Sequence, residues 1–160
     1  VFIPIISISN ALSTFVSQNL GAGEVGRAKK GAFLGTVVSM GMAVVMGIGM
    51  YLLAPQLIRI FTSEPQSVEY GVVFMRTVTI FYLFLTFSHE ATGILRGLGM
   101  SVIPMLGMFG FWCVGRILYV TIALRVIPDF RVICWAYPLT WICTTITFSI
   151  VLFRTKWRAG

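Results

Sequence analysis

The sequence predicts an all-α polytopic membrane protein, and three observations carry that prediction. Of its 160 residues, 58% are hydrophobic and only 11% charged, with a mean hydropathy of +0.93; soluble domains carry about 25% charged residues. The charges are spaced so that residues 1–23, 31–58, 97–115 and 132–153 contain none, and a spanning helix needs about 20 apolar residues. The basic excess, a net charge of +7, lies between these runs instead of in one patch. It reads as a set of orientation signals and not as a nucleic-acid surface. Repeated runs of this length also exclude a lone signal peptide.

Five transmembrane helices follow, at about 3–20, 31–55, 70–95, 102–124 and 132–153, with no soluble domain. Pro4, Pro104 and Pro138 are read as first-turn prolines, where a missing N–H is harmless. In the first helix Asn10, Ser13, Thr14, Ser17, Gln18 and Gly21 share one face, while Leu12, Val16 and Leu20 lie away from it. In lipid such a face must turn toward protein or a water-filled cavity. Two readings stay open: interhelical hydrogen bonding, or the wall of a translocation path.

The turn that follows, Gly21-Ala22-Gly23-Glu24-Val25-Gly26, matches the G-x-G-x-x-G of a dinucleotide site. That motif needs a preceding strand and an acid about 20 residues on. No strand precedes it, and no Asp or Glu lies between Glu24 and Glu64. It reads instead as a tight reversal between two membrane helices, with Arg27, Lys29 and Lys30 at the anionic inner leaflet. No G-K-[ST] follows, so it is not a P-loop either.

The second helix places Gly31, Gly35, Ser39, Ala43 and Gly47 at every fourth position, a ladder for close helix approach. In the third, Arg76, Thr79, Thr86 and Glu90 share a face if the helix is continuous, Arg76 and Glu90 falling about 40° apart around the axis. Glu90 then lies about 12 Å cytoplasmic of the midpoint near Tyr82. Beside His89 it is either a proton or cation site or a solvated headgroup-level pair. Arg116 in the fourth helix is deeper, about 5 Å from the centre. It must face protein and find hydroxyl or carbonyl partners; Glu90, about 17 Å away along the axis, is out of reach. The fifth helix aligns Tyr137, Thr140, Thr144 and Thr147, and Trp135 and Trp157 suit the interfaces.

Cys113, Cys134 and Cys143 have no C-x-x-C spacing and read as packing residues. With one His, one Asp and no metal-spaced cluster, neither an enzyme nor a metal site is expected. Five spans put Arg27, Lys29, Lys30, Arg96, Arg154, Lys156 and Arg158 on one side and Arg59, Arg125 and Arg131 on the other. The positive-inside rule then makes the C-terminus cytoplasmic and Val1 extracytoplasmic, which implies an odd number of spans upstream.

The stretch "ALSTFVSQNLGAGEVGRAKKG" (11–31) resembles the multidrug and toxic compound extrusion (MATE) family, with its polar helix, Q-N-x-G-A-G turn and basic R-A-K-K segment. "GILRGLGMSVIPM" (93–105) resembles that family's second cytoplasmic turn, and "WCVGRILYVTIA" and "VICWAYPLTW" are similar to its closing helices. The resemblance implies two six-helix lobes around a central cavity. This chain then supplies helices eight to twelve, most of the second lobe, and the N-terminal lobe is a missing partner from the same polypeptide. It further implies a secondary active efflux transporter in a prokaryotic plasma membrane, exchanging organic cations or other amphipathic compounds for H⁺ or Na⁺ by alternating access. No cofactor beyond that coupling ion is implied.

Carried over by position, Gln18 and Asn19 fall on the polar motif, and His89 and Glu90 on the tenth helix, where some members hold a cation-coupling acid. Glu90 lies nearer the cytoplasmic end than such a site. The substrate or cation pathway is thus expected at Asn10, Ser13, Thr14, Ser17, Gln18, Asn19, Thr86, His89, Glu90 and Arg116. Two alternatives are a lipid-linked oligosaccharide flippase and a non-transporting scaffold subunit. A flippase lines its cavity with several cations, for which only Arg76 and Arg116 qualify here. A scaffold does not need the Asn10-to-Gln18 face to be wet.

Overall fold

The structure is a computed structural model that describes residues 2–127 and 129–157, the side chain of Phe2 excepted. The expectations for Val1 and Arg158 lie outside the described residues. Eight α-helical segments and one π-helical stretch make up the regular structure: α1 (Phe2–Gly21), α2 (Val25–Leu52), α3 (Ala54–Arg59), α4 (Pro65–Ile80), α5 (Tyr82–Gly97), α6 (Val102–Met108), the π stretch (Phe109–Gly115), α7 (Arg116–Val126) and α8 (Phe130–Arg154). No strand occurs among the described residues, and the all-α membrane class holds.

The helices differ from expectation in five places, four of them for a local reason. The first turn is shorter than 21–30, because α2 begins at Val25. Ala28 and Ala32 pack beneath Leu12, Val16 and Leu20, so the chain is already helical there and Lys29 and Lys30 ride on its first turns. Gly23 (φ +78°) makes the reversal, a conformation costly for any residue with a Cβ. The second helix ends at Leu52, and the short α3 follows.

The third expected helix is two segments, α4 and α5, bent by 54°. At the break the Phe81 N–H turns back to the Val78 and Thr79 carbonyls, and the Thr79 hydroxyl donates to the Met75 carbonyl. Threonine back-bonding of this kind bends helices. The 40° separation assumed for Arg76 and Glu90 therefore does not apply, since they sit on differently directed axes.

The fourth expected helix is continuous from Val102 to Val126 but π-helical over Phe109–Gly115. A Cβ on Gly115 would lie 3.2 Å from the Gly110 carbonyl oxygen, five residues back, so glycine suits the wider turn. Finally, α8 starts at Phe130, where the Asp129 side chain accepts from the Arg131 N–H at 2.9 Å. Pro138 is therefore inside the helix and not in its first turn.

Among the described residues three helices are long and apolar enough to cross a membrane: Val25–Leu52, Val102–Val126 and Phe130–Arg154. The bent pair α4–α5 makes a fourth if it crosses as one. Helix α1 has the length, at 20 residues, but its Ser, Asn and Gln side chains keep it below the same apolar level. The chain is multi-pass, and the count of five is not reached on composition alone.

Helix α5 is the hub, packing against α1, α2, α8, α6 and α4. It is buried on nearly every side, from Tyr82 to Gly97. Its closest neighbour is α1: a Cβ on Gly93 would strike the Ser9 backbone, and one on Gly97 would lie 2.7 Å from the Ser13 carbonyl oxygen. Gly93 and Gly97 form a G-x-x-x-G pair that lets these two backbones approach. The α2 ladder packs as its spacing predicts. Gly31 and Gly35 meet Phe15 and Leu12 of α1, Ser39 meets α5, and Gly47 faces Thr79 of α4. Of the cysteines only Cys134 is buried; Cys113 and Cys143 are exposed on the perimeter, which corrects the packing role expected for them.

Candidate functional site

Helix α1 divides its two faces between the bundle and whatever lies beyond it. Ile5, Ser9, Leu12, Val16 and Leu20 are buried against α5 and α2. Asn10, Thr14, Ser17, Gln18 and Gly21 are exposed, with Ser13 and Asn19 half-buried at the edges. The polar face thus points away from the helices that its apolar face helps to build. Its hydroxyls are bonded mainly to their own helix: Thr14 to the Asn10 carbonyl and Ser17 to the Thr14 carbonyl. The Asn19 amide likewise donates to the Phe15 carbonyl at 2.7 Å. Arg96, at the end of α5, donates to Asn10 Oδ1 at 3.1 Å and adds an exposed cation to this face. Sequence spacing gave no sign of that pairing, because the partners are 86 residues apart.

Where α5 meets α2 lies a buried carboxyl. Glu90 is fully buried, and Ser39 Oγ donates to its Oε1 at 2.6 Å. Its other oxygen, Oε2, has no hydrogen-bond partner. The solvated headgroup reading of Glu90 is therefore excluded. Ser39 belongs to the small-residue ladder, where its hydroxyl drew no notice beside its size. Thr86, one turn earlier on α5, is buried too but donates to the Tyr82 carbonyl, so the structure does not join it to Glu90.

Adjacent in sequence, His89 and Glu90 face different neighbours. The His89 ring packs edge-on to Trp112 of the π stretch, at 5.4 Å between centroids, and its carbonyl accepts from Ser9 Oγ. Trp112 Nε1 donates to Thr144 Oγ1 at 3.0 Å. One turn from Thr144, Thr140 Oγ1 accepts from Arg116 Nη2 at 3.0 Å, and the guanidinium lies 4.1 Å from the centre of the Tyr137 ring. The polar face expected on the last helix is thus turned inward, where it serves Arg116 and Trp112. Arg116 is half-buried, meets a hydroxyl as its depth requires, and has no contact with Glu90. Arg76 stands apart, stacked over Tyr51 at 5.2 Å.

The glycine turn offers no anion cradle. The Ala22, Gly23 and Glu24 N–H groups are bonded to the Gln18, Leu20 and Asn19 carbonyls, closing the end of α1. Among the described residues no cluster of three His, Cys, Asp or Glu could hold a metal ion.

A bundle with an outward polar helix, a buried carboxyl on its hub and two glycine turns can be compared with known families. The MatE family model matches residues 1–122. The chain belongs to the MatE family. The matched segment takes in the polar face of α1, the Ser39–Glu90 pair, Trp112 and Arg116. Among curated relatives, the probable multidrug resistance protein NorM of Thermotoga maritima is 33% identical over 68% of this chain and 23% of its own length. A second probable NorM, from Streptococcus pneumoniae, is 29% identical over 96% of this chain and 32% of its own. The probable multidrug resistance protein YpnP of Bacillus subtilis is 27% identical over 69% and 25% respectively. The chain therefore spans a quarter to a third of the length of these MatE relatives.

Proposed function

We propose that this chain is most of the C-terminal lobe of a secondary active multidrug efflux transporter, and neither an enzyme nor a scaffold. It exports organic cations or other amphipathic compounds in exchange for H⁺ or Na⁺, by alternating access between two lobes. In this reading the remaining length of these relatives supplies the other lobe and the first helix of this one. The protein sits in the plasma membrane with its C-terminus cytoplasmic, as the basic residues around α2, α5 and α8 favour.

The outward polar face of α1 carries this reading. A helix that packs its apolar side inward and turns the amides of Asn10 and Gln18 outward, beside Thr14 and Ser17, would be unstable against lipid, because those amides need water or protein. A hydrated cavity shared with a second lobe supplies both. In this reading Ser13 and Asn19 edge the path, and Arg96 holds Asn10 in place at it. Glu90 is the coupling-ion group: a buried carboxyl on the hub helix, with one oxygen held by Ser39 and the other without a partner. Thr86 and His89 lie on the hub with it, and Arg116 joins α7 to α8 through Thr140.

Cysteine accessibility tests the proposal. In a background lacking the three native cysteines, Ser17→Cys and Gln18→Cys should react with a membrane-impermeant thiol reagent, and substrate should slow the reaction. Val16→Cys, on the buried face, should not react. Ser17 and Gln18 as inert as Val16 would overturn the reading.

A further inference from the structure

The bend between α4 and α5 leaves a gap in the wall of the bundle. In one half of the molecule α4 stands between α2 and α8 and touches both. After the 54° bend the chain continues as the hub α5, and among the described residues no second element stands beside it between α2 and α8. Among the described residues the backbones of α2 and α8 do not come close to each other. Between them opens a cleft of about 320 Å³, floored by Phe87 and Ile94 of α5 and walled by Phe33 and Phe153. Its hydroxyls are already committed: Thr36 donates to the Ala32 carbonyl and Ser149 to the Thr145 carbonyl. The interior is apolar in effect and suits a hydrocarbon, not a polar solute.

The mouth is different. Lys29 lines it, and its ammonium sits 6.0 Å from the centre of the Trp157 ring, not against a carboxylate. Lys30, Arg154 and Lys156 are exposed at the same end, where Glu24 is the only acid among the described residues. A cation and an indole at the lip of an apolar slot match the two halves of an anionic lipid, its phosphate and its acyl chain. We propose that this cleft binds one anionic phospholipid of the leaflet read as cytoplasmic, with its phosphate at Lys29 and an acyl chain between Phe33 and Phe153. The proposal rests on the membrane placement of the chain and not on transport.

The test uses the protein purified in detergent, stripped of lipid, and titrated with phosphatidylglycerol or phosphatidylcholine while bound lipid is counted by native mass spectrometry. Phosphatidylglycerol should be retained at least tenfold more strongly than phosphatidylcholine. Lys29→Gln should abolish that preference, whereas Arg27→Gln, an equal loss of charge outside the cleft, should keep it. Ser149→Phe, which fills the slot, should lose both lipids. Should that variant fail to fold, the exposed Lys29 and Arg27 still decide. Equal losses from Lys29→Gln and Arg27→Gln would mean diffuse surface attraction and overturn the site. Retention by Ser149→Phe, or a second protein chain in place of lipid, would overturn it as well.

Discussion

Adding a single methyl group at Gly93 tests whether the α1–α5 crossing holds the bundle together. A Cβ there would lie 2.7 Å from Ser9 Oγ and 2.9 Å from the Ser9 carbonyl carbon, with the carbonyl oxygen nearer still. Ordinary contact begins near 3.4 Å, and the obstacle is backbone, which cannot rotate away. The two helices must part by roughly an ångström, against an overpacking cost of about 1–3 kcal/mol. Separation also weakens the hydrogen bond from Ser9 Oγ to the His89 carbonyl, worth about 0.6 kcal/mol in a membrane protein. Gly41→Ala is the control: it is exposed in mid-α2 with nothing within 4 Å of its Cβ position. Both substitutions gain the same helix propensity, so that gain cancels in the comparison. Gly93→Ala should therefore be about 2–4 kcal/mol less stable than Gly41→Ala in a denaturant titration of the detergent-solubilised protein. Values within about 0.5 kcal/mol of each other would refute the close crossing.

Along α2, Gly35→Leu and Gly47→Leu should cut folded yield well below that of Gly49→Leu, measured by size-exclusion of a fluorescent fusion, because only the first two glycines face a neighbouring helix. Thr140→Val should destabilise by about 0.6–1.7 kcal/mol, and a double-mutant cycle with Arg116→Leu should show that most of this loss needs the guanidinium. Glu90→Gln keeps the size of the side chain and should leave folded yield intact while abolishing gradient-driven export in a dye-efflux assay; unchanged export would remove Glu90 from the coupling step. Residues 1–160 expressed alone should confer no drug resistance on a pump-deficient host, and resistance would show that one lobe suffices.

The parts of the fold set by local pattern were legible in the sequence. Charge-free runs located four of the five expected helices, and the spacing of polar and small residues found both the outward face of α1 and the packed face of α2. What stayed hidden depended on direction or distance. The break at Phe81 lies inside an unbroken apolar stretch, so a straight helix was assumed and Arg76 was aligned with Glu90. The π stretch is invisible to a search at 3.6 residues per turn. Pairings such as Ser39 with Glu90 and Arg96 with Asn10 join residues 51 and 86 positions apart. The Gly93–Gly97 pair was available as a G-x-x-x-G motif, but both glycines read first as parts of the adjoining turn.

The π stretch makes the length of its helix a functional quantity. Its wider turn holds one more residue than an α-helix would between the same two levels, and Arg116 begins the segment immediately after it. Removing any one residue from Phe109–Gly115 would let the helix rewind to the α form. An α-helix one residue shorter spans the same two levels, so Arg116 would keep its place against Thr140 and Tyr137. The same deletion inside α6 or α7 has no such slack and would rotate everything beyond it by about 100°. For this helix the π stretch is the one place where a codon can be lost without turning the rest, so relatives one residue shorter there should present the same side chain to the last helix.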